Sequence, residues 1–226
     1  MNRYYDNELV FRSCNMANMV MTRKEKEKTR HKTEILNAAL NLFSDKGFSN
    51  VSMQDIAVKA EFSVGALYNF FAGKEQLFSE LMDDCSDKIY QVLCPILDSD
   101  RPEDEKIRTF IRANTELLED NLKFIRLYVS QYGSLTPAPT YTKKAEENIH
   151  IKLNEKLLNI IKSGIRNKQF RSIDAQTATN ALSATLEAFI FKSSENFDKV
   201  KIEHGLKNIE TLFVDNLLKN EGNGNA

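Results

Sequence analysis

The chain of 226 residues has no tryptophan, only four prolines, eight glycines and three cysteines. So few helix breakers favour long uninterrupted helices. Cys14, Cys85 and Cys94 are odd in number and lack metal-ligand spacing, which excludes a disulfide framework and a zinc site and points to a reduced, cytoplasmic protein. Incidental buried thiols are the plain reading of them, and a thiol sensor is the alternative. The three histidines, His31, His150 and His204, stand far apart in sequence. No Gly-rich phosphate loop, nucleophile elbow or His-Glu-x-x-His run is present, so no enzyme, metal or cofactor is expected. No apolar run reaches signal-peptide or membrane length, so no membrane partner is expected either. A net charge of −1 offers no overall attraction to an anionic partner. The distribution is uneven: residues 22–78 hold nine Lys/Arg against seven Asp/Glu, and residues 79–226 hold twenty against twenty-three. Any basic face must be built locally. Residues 22–32, with six Lys/Arg and two Glu, fit either a solvated helix start or an arm that touches phosphates.

The stretch 52–74 is the most informative. Ser52 is a good N-cap, and Asp55 three residues later completes a capping-box-like pair. Met53, Ile56, Ala57 and Ala60 follow at helical spacing. A second start signal at Ser63 limits that helix to two turns. Ala66-Leu67 and Phe70-Phe71 then form an apolar face, with Val64, Gly65, Tyr68 and Asn69 directed elsewhere, and Gly73 is expected to end the second helix in a left-handed conformation. Two short helices with a tight turn read as a helix-turn-helix, whose second helix enters the DNA major groove. The alternative is a buried helical hairpin with one solvated side. Gly65 leaves room for a phosphate backbone, Tyr68 offers it a hydroxyl, and Asn69 suits an adenine edge. Lys74 starts the next helix, where free N–H groups already favour an anion.

The order Ile35-Leu36-Asn37-Ala38-Ala39-Leu40-Asn41-Leu42-Phe43, Gly47-Phe48, Ser52 through Ile56-Ala57, and Ser63-Val64-Gly65-Ala66-Leu67-Tyr68-Asn69-Phe70-Phe71-Ala72-Gly73-Lys74-Glu75-Gln76-Leu77 resembles the N-terminal domain of TetR-type transcriptional regulators. The resemblance covers about residues 30–80. It implies an all-α chain with a three-helix reader at the N-terminus and a helical ligand-binding and dimerisation bundle behind it. The implied DNA-contacting set is Ser52, Gln54, Ser63, Val64, Gly65, Ala66, Tyr68, Asn69 and Lys74. The chain departs from the pattern at Glu61, where the turn often has glycine. A positive φ there costs about 1 kcal/mol, and the carboxylate is unhelpful if it faces a phosphate.

The expected organisation is a disordered extension over 1–24, the reader over 25–80, the bundle over 81–220 and a disordered Gly/Asn tail over 221–226. Further helices are expected near 25–46, 74–93 (ended by Pro95), 103–119, 121–133, 141–167, 174–193 and 202–219, with a loop at Gly133 to Pro139. The helix near 174–193 is rich in Ala, Ser and Thr, and the last one carries an apolar stripe. These two fit either packing inside one chain or the four-helix dimer interface that the resemblance implies, with Leu182, Leu186, Phe189, Ile209, Phe213 and Leu217 at the contact. Phe110, Asn114, Phe124, Tyr128, Gln131, Tyr132 and His150 combine aromatics with a few polar groups. They are candidate lining for an effector pocket, although His150 taken alone reads first as a core residue. The resulting expectation is a homodimeric repressor on a palindromic double-stranded DNA operator, released by a small apolar effector. A DNA-binding structural or partner-recruiting relative without an effector is the main alternative, and an enzyme on a helical scaffold is a remote one.

Overall fold

The computed structural model describes residues 22–132 and 143–218. Residues 1–21 of the expected extension, the Gly133–Pro139 loop and the tail lie outside the described residues. Within them the chain is helical, with an isolated bridge between Phe170 and Leu218 and no strand. The helices are α1 (Arg23–Lys46), α2 (Met53–Ala60), α3 (Val64–Tyr68), α4 (Lys74–Leu97), α5 (Glu103–Asp120), α6 (Leu122–Tyr132), α7 (Lys143–Arg166), α8 (Ala175–Glu195) and α9 (Lys199–Glu210), the last running into a π-helical turn over Thr211–Asp215.

The first helix starts earlier than position 25. Thr22 caps it, and Glu25 reaches back to the Thr22 N–H at 2.7 Å, a reciprocal pair that satisfies two orphan donors. Residues 23 and 24 are therefore helical and not part of a disordered extension. The helix ends at Gly47, whose φ of 79° is the positive value that favours glycine. Just beyond it, Phe48 folds back so that Phe43, Phe48 and Phe78 form a ring cluster with centroids 4.9–5.6 Å apart. This cluster fastens α1 to the first turns of α4.

Two helix ends differ from expectation in instructive ways. The helix α4 continues past Pro95 to Leu97, although proline removes a backbone donor. Leu93, Cys94 and Leu97 are all buried, so the apolar surface covered by the last turn offsets the lost bond. Val92, in the same turn, is half exposed. The last helix begins at Lys199, not 202, because the Asp198 carboxylate accepts the Lys201 N–H at 3.2 Å as an N-cap.

Behind the reader, α4 packs on α7 and α5, α8 lies across α7, and α9 lies along α5. Two glycines permit close approaches. A Cβ on Gly164 would fall 2.2 Å from the buried Phe170 ring, and one on Gly205 would fall 2.3 Å from the Phe189 ring. The first contact closes the turn after α7, and the second locks α9 against α8.

Candidate nucleic-acid interface and internal cavity

In the reader, α2 and α3 are too short to persist alone and depend on caps and burial. Ser52 Oγ accepts the Asp55 N–H at 3.1 Å while the Asp55 carboxylate accepts the Ser52 N–H at 2.8 Å. The Ser52 hydrogen bonds hold the Asp55 carboxyl below its ordinary range. Ser63 Oγ likewise accepts the Ala66 N–H at 3.1 Å. Ile56, Ala57, Leu67 and Phe71 are buried in one core with Ile35 and Ala39 of α1. Between the two helices Glu61 sits at φ 62°, ψ 35°, the left-handed conformation that its position in the turn demands.

With the inner face buried, the outer face is defined. Gln54, Ser63, Gly65, Tyr68 and Asn69 are exposed, and Val64 and Ala66 are half-buried. Gly65 is not at positive φ, and a Cβ there would meet nothing within 4 Å. Nothing among the described residues therefore requires glycine at 65. Ser52 is exposed, but its hydroxyl is engaged by Asp55.

Two expectations about this region need correction. The helix α3 stops at Tyr68 with Asn69 as its C-cap, and Gly73 is the N-cap of α4 with φ 179°, an extended and not a left-handed conformation. The turn is closed instead by the Phe70 and Phe71 N–H groups, both donating to Leu67 O at 2.9 Å. Lys74 does not project as a free charge: its Nζ donates to Phe48 O at 3.0 Å and lies 4.4 Å from the centre of the Phe48 ring. An ammonium has three donors, so this contact orients Lys74 without exhausting it.

The bundle forms a partly open cavity of about 170 Å³ between α4, α5, α6, α7 and α8. Phe110, Asn114, Phe124, Tyr128 and His150 of the expected set line it. Gln131 does not: it is half-buried and its amide points to Ser130. The Tyr132 side chain lies outside the described residues. His150 is exposed at the edge and is not a core residue. Sequence reasoning missed Ser86 on α4, Asn154 on α7, and Ser183, Leu186, Glu187, Ile190 and Phe191 on α8. The α8 residues recur at three- and four-residue steps, a helical face that could have been read as lining had α8 not been assigned whole to the interface.

That assignment is corrected too. Leu182, Leu186, Ile209 and Leu217 are 1%, 4%, 5% and 6% exposed within a single chain, so they are core residues and cannot also form an outer contact. Phe189 and Phe213 are half-buried. The outward faces are Ala181, Ala184 and Ala188 on α8, and Leu212, 62% exposed, just after α9.

Neither described cysteine is poised for thiolate chemistry. Burial pushes the Cys85 thiol up to about 11 and raises Cys94 as well. Among the described residues no cluster of His, Cys, Asp and Glu could hold a metal, and no helix is long and apolar enough to cross a membrane.

A two-helix reader with a polar outer face, set on a helical bundle with an internal cavity, defines a helix-turn-helix DNA-binding regulator. The family described as bacterial regulatory proteins, tetR family, matches residues 35–81. The HTH-type transcriptional repressor KstR2 of Rhodococcus jostii is 25% identical over 163 residues, covering 70% of this chain and 77% of that protein. The HTH-type transcriptional regulator AcrR of Shigella flexneri is 42% identical over 62 residues, 27% of this chain and 28% of that one. In fold, the regulator FadR from Bacillus subtilis, solved in complex with stearoyl-CoA, matches with a TM-score of 0.68 at 18% identity, covering 82% of this chain and 98% of that one. Residues 35–81 thus match the TetR-type regulators in their DNA-reading part, and over most of its length the chain is similar to a protein named as a transcriptional repressor of that type.

Proposed function

We propose that the chain works as a homodimer on a palindromic operator and that a small, largely apolar effector bound in the bundle cavity releases it. The observation that carries this reading is the course of α4. Its 24 residues span about 36 Å at 1.5 Å per residue. The same rigid element starts beside the reader, with Lys74 on Phe48, and lines the cavity with Ser86, Ile89 and Leu93. The proposed boundary between a reader over 25–80 and a bundle over 81–220 thus falls inside one helix. An occupant that prefers one placement of α4 shifts the spacing of the two readers by its differential affinity for the two states.

The cavity lining is mostly hydrocarbon and aromatic, which supports an apolar effector. The stearoyl-CoA bound by the Bacillus subtilis neighbour has such a chain. Its full length exceeds what about 170 Å³ accommodates, so an effector of that size would have to widen the bundle. For the dimer, small outward residues on α8 let two copies approach closely, and Leu212 supplies an exposed apolar residue just after α9.

Selection of bound duplexes from a random DNA pool, repeated with apolar small molecules present, tests the proposal. Inverted half-sites and release by a cavity ligand are the expected results. Direct repeats, or binding insensitive to any occupant of the cavity, contradict it.

A further inference from the structure

The wall of the cavity is apolar over most of its area, but two buried polar side chains on adjacent helices break it. Ser86 of α4 is 9% exposed and Asn114 of α5 is 7% exposed, and both face the cavity. The Asn114 amide nitrogen donates to Phe110 O at 2.8 Å and Ile111 O at 3.3 Å. Carbonyl oxygens only accept, so this pair of contacts dictates which way the amide is turned. Its Oδ1 is therefore directed away from the helix backbone, and no donor reaches it among the described residues. The Ser86 hydroxyl likewise has no hydrogen-bond partner among the described residues. Buried polar atoms in folded proteins are paired in the large majority of cases. Two unpaired ones lining the same cavity are the signature of a recognition point.

The charges around the cavity restrict what can be recognised. Among the described residues no Lys or Arg lines it, and the one formally anionic lining residue is Glu187. His150 stands at the exposed edge, and Asn154 of α7 and Ser183 of α8 pair with each other, Ser183 Oγ donating to Asn154 Oδ1 at 2.6 Å. A buried carboxylate would have no cationic partner at the Ser86–Asn114 end and would meet a like charge at Glu187.

We infer that Ser86 and Asn114 form a neutral subsite that recognises a hydroxyl group on an otherwise hydrocarbon effector. The inference rests on the reading of the cavity as the effector site and adds the chemical class of the effector. A hydroxyl donates to Asn114 Oδ1 and accepts from the Ser86 hydroxyl, so one ligand atom satisfies both side chains. An ether or ketone oxygen accepts from Ser86 but offers nothing to Oδ1. The cavity volume of about 170 Å³ is close to that of apolar cavities of about 150 Å³ that hold a benzene ring. A six-carbon skeleton is therefore the matching probe.

The test is a calorimetric titration of the full chain with three ligands of similar size: 1-hexanol, its isomer 1-methoxypentane, and hexanoate. The alcohol is expected to bind about tenfold more tightly than the ether, because only the alcohol pairs Asn114 Oδ1. Hexanoate is expected to bind more weakly than the alcohol by at least the same factor. In the double variant Ser86→Ala, Asn114→Leu the preference of alcohol over ether should fall to within about twofold. Circular dichroism establishes that the variant is folded, and if it is not, the ratio in the unaltered chain decides alone. Equal affinity for alcohol and ether overturns the subsite, and shows that a bound water or nothing at all serves these two groups. Hexanoate binding as tightly as the alcohol overturns it as well. Failure of all three to bind overturns the cavity reading itself along with the subsite.

Discussion

In the reader, α2 and α3 have eight and five residues, and each is held at its start by a serine cap. In the bundle, α5 and α9 have 18 and 12 residues and meet around a fully buried carboxylate, Glu210. Arg112 clasps it with two bonds of 2.7 Å, Arg108 adds one of 2.7 Å and Lys207 one of 2.8 Å. Arg108 also binds Asp215 at 2.6 Å across the π-helical turn. The capping bonds that start α2 and α3 thus join residues three apart, whereas the Arg108 and Arg112 bonds to Glu210 join residues about a hundred apart. The first kind leaves the outer surface free for a partner. The second spends charge on holding helices in register, which suits a unit that must keep a cavity open.

The largest expected effect breaks the bundle and spares the reader. Glu210→Ala removes the buried carboxylate on which Arg108, Arg112 and Lys207 converge; Arg108, which is mostly buried, keeps Asp215 and Asp104, while Arg112 and Lys207 can turn to solvent. A loss of about 3 kcal/mol, the lower end for removing one partner of a buried pair, should appear in denaturant unfolding. Unfolding unchanged by this variant would show that the cluster does not hold α9. Burial pushes the Glu210 carboxyl up, but hydrogen bonds from Arg112, Lys207 and Arg108 outweigh it and hold the group at about 2 against an ordinary 4.5. A carboxyl depressed in the fold contributes stability that is present above its unfolded value and is lost as pH falls through its folded one. About 3 kcal/mol should therefore disappear between pH about 4.5 and about 2, and Glu210→Gln should flatten that limb of the stability curve.

A second break concerns the outer face of the bundle. Leu212→Asp puts a charge into the proposed contact between two copies, at a cost of several kcal/mol unless it is paired. Light scattering should show monomers of unchanged helicity. A persisting dimer would place the interface elsewhere.

Within the reader the expected effects are smaller and differ in kind. Asn69→Ala should change the preferred base at one position of each half-site by about 1–3 kcal/mol. Lys74→Ala should weaken binding to all sequences alike and lower the salt slope by about one unit. If both variants scale affinity uniformly, Asn69 contacts phosphate and not a base. The smallest effect is at Glu61, held at φ 62°. Glu61→Gly should raise stability by about 1 kcal/mol, less what is lost to the more flexible unfolded chain. Thermal unfolding measures the balance, and a lower melting temperature would mean that the Glu61 side chain contributes contacts of its own.

The same contrast explains what could be read from the chain alone. The caps at Ser52 and Ser63, the left-handed turn at Glu61 and the Gly47 stop are local patterns, and all are present in the fold. The end of α3 was misplaced because Gly73 has two uses, stop and start, and only the Leu67 carbonyl, which closes the turn, decides between them. In the bundle, helix existence was legible and helix orientation was not. Leu182 and Leu186 lie on an apolar stripe that fits an interface as well as a core, and it is the packing of α8 on α7, α6 and α5 that makes them interior. Five of the seven expected pocket residues line the cavity, since aromatics beside polar groups on α5 and α6 share one inner face. Ser86 was missed because a lone serine next to the buried Cys85 carries no pattern. The Glu210 cluster was missed because its partners lie on a helix about a hundred residues away.

The symmetric two-reader account is tested most directly by spacing. A dimer with one reader per copy requires inverted half-sites whose centres lie about one helical turn, or about 10 bp, apart on one side of the duplex. Fluorescence anisotropy with the selected operator and with the same operator carrying about half a turn of inserted sequence makes the comparison. The account predicts that the insertion abolishes tight binding and leaves a weak, salt-sensitive association through phosphates. Undiminished affinity for the lengthened site would contradict it.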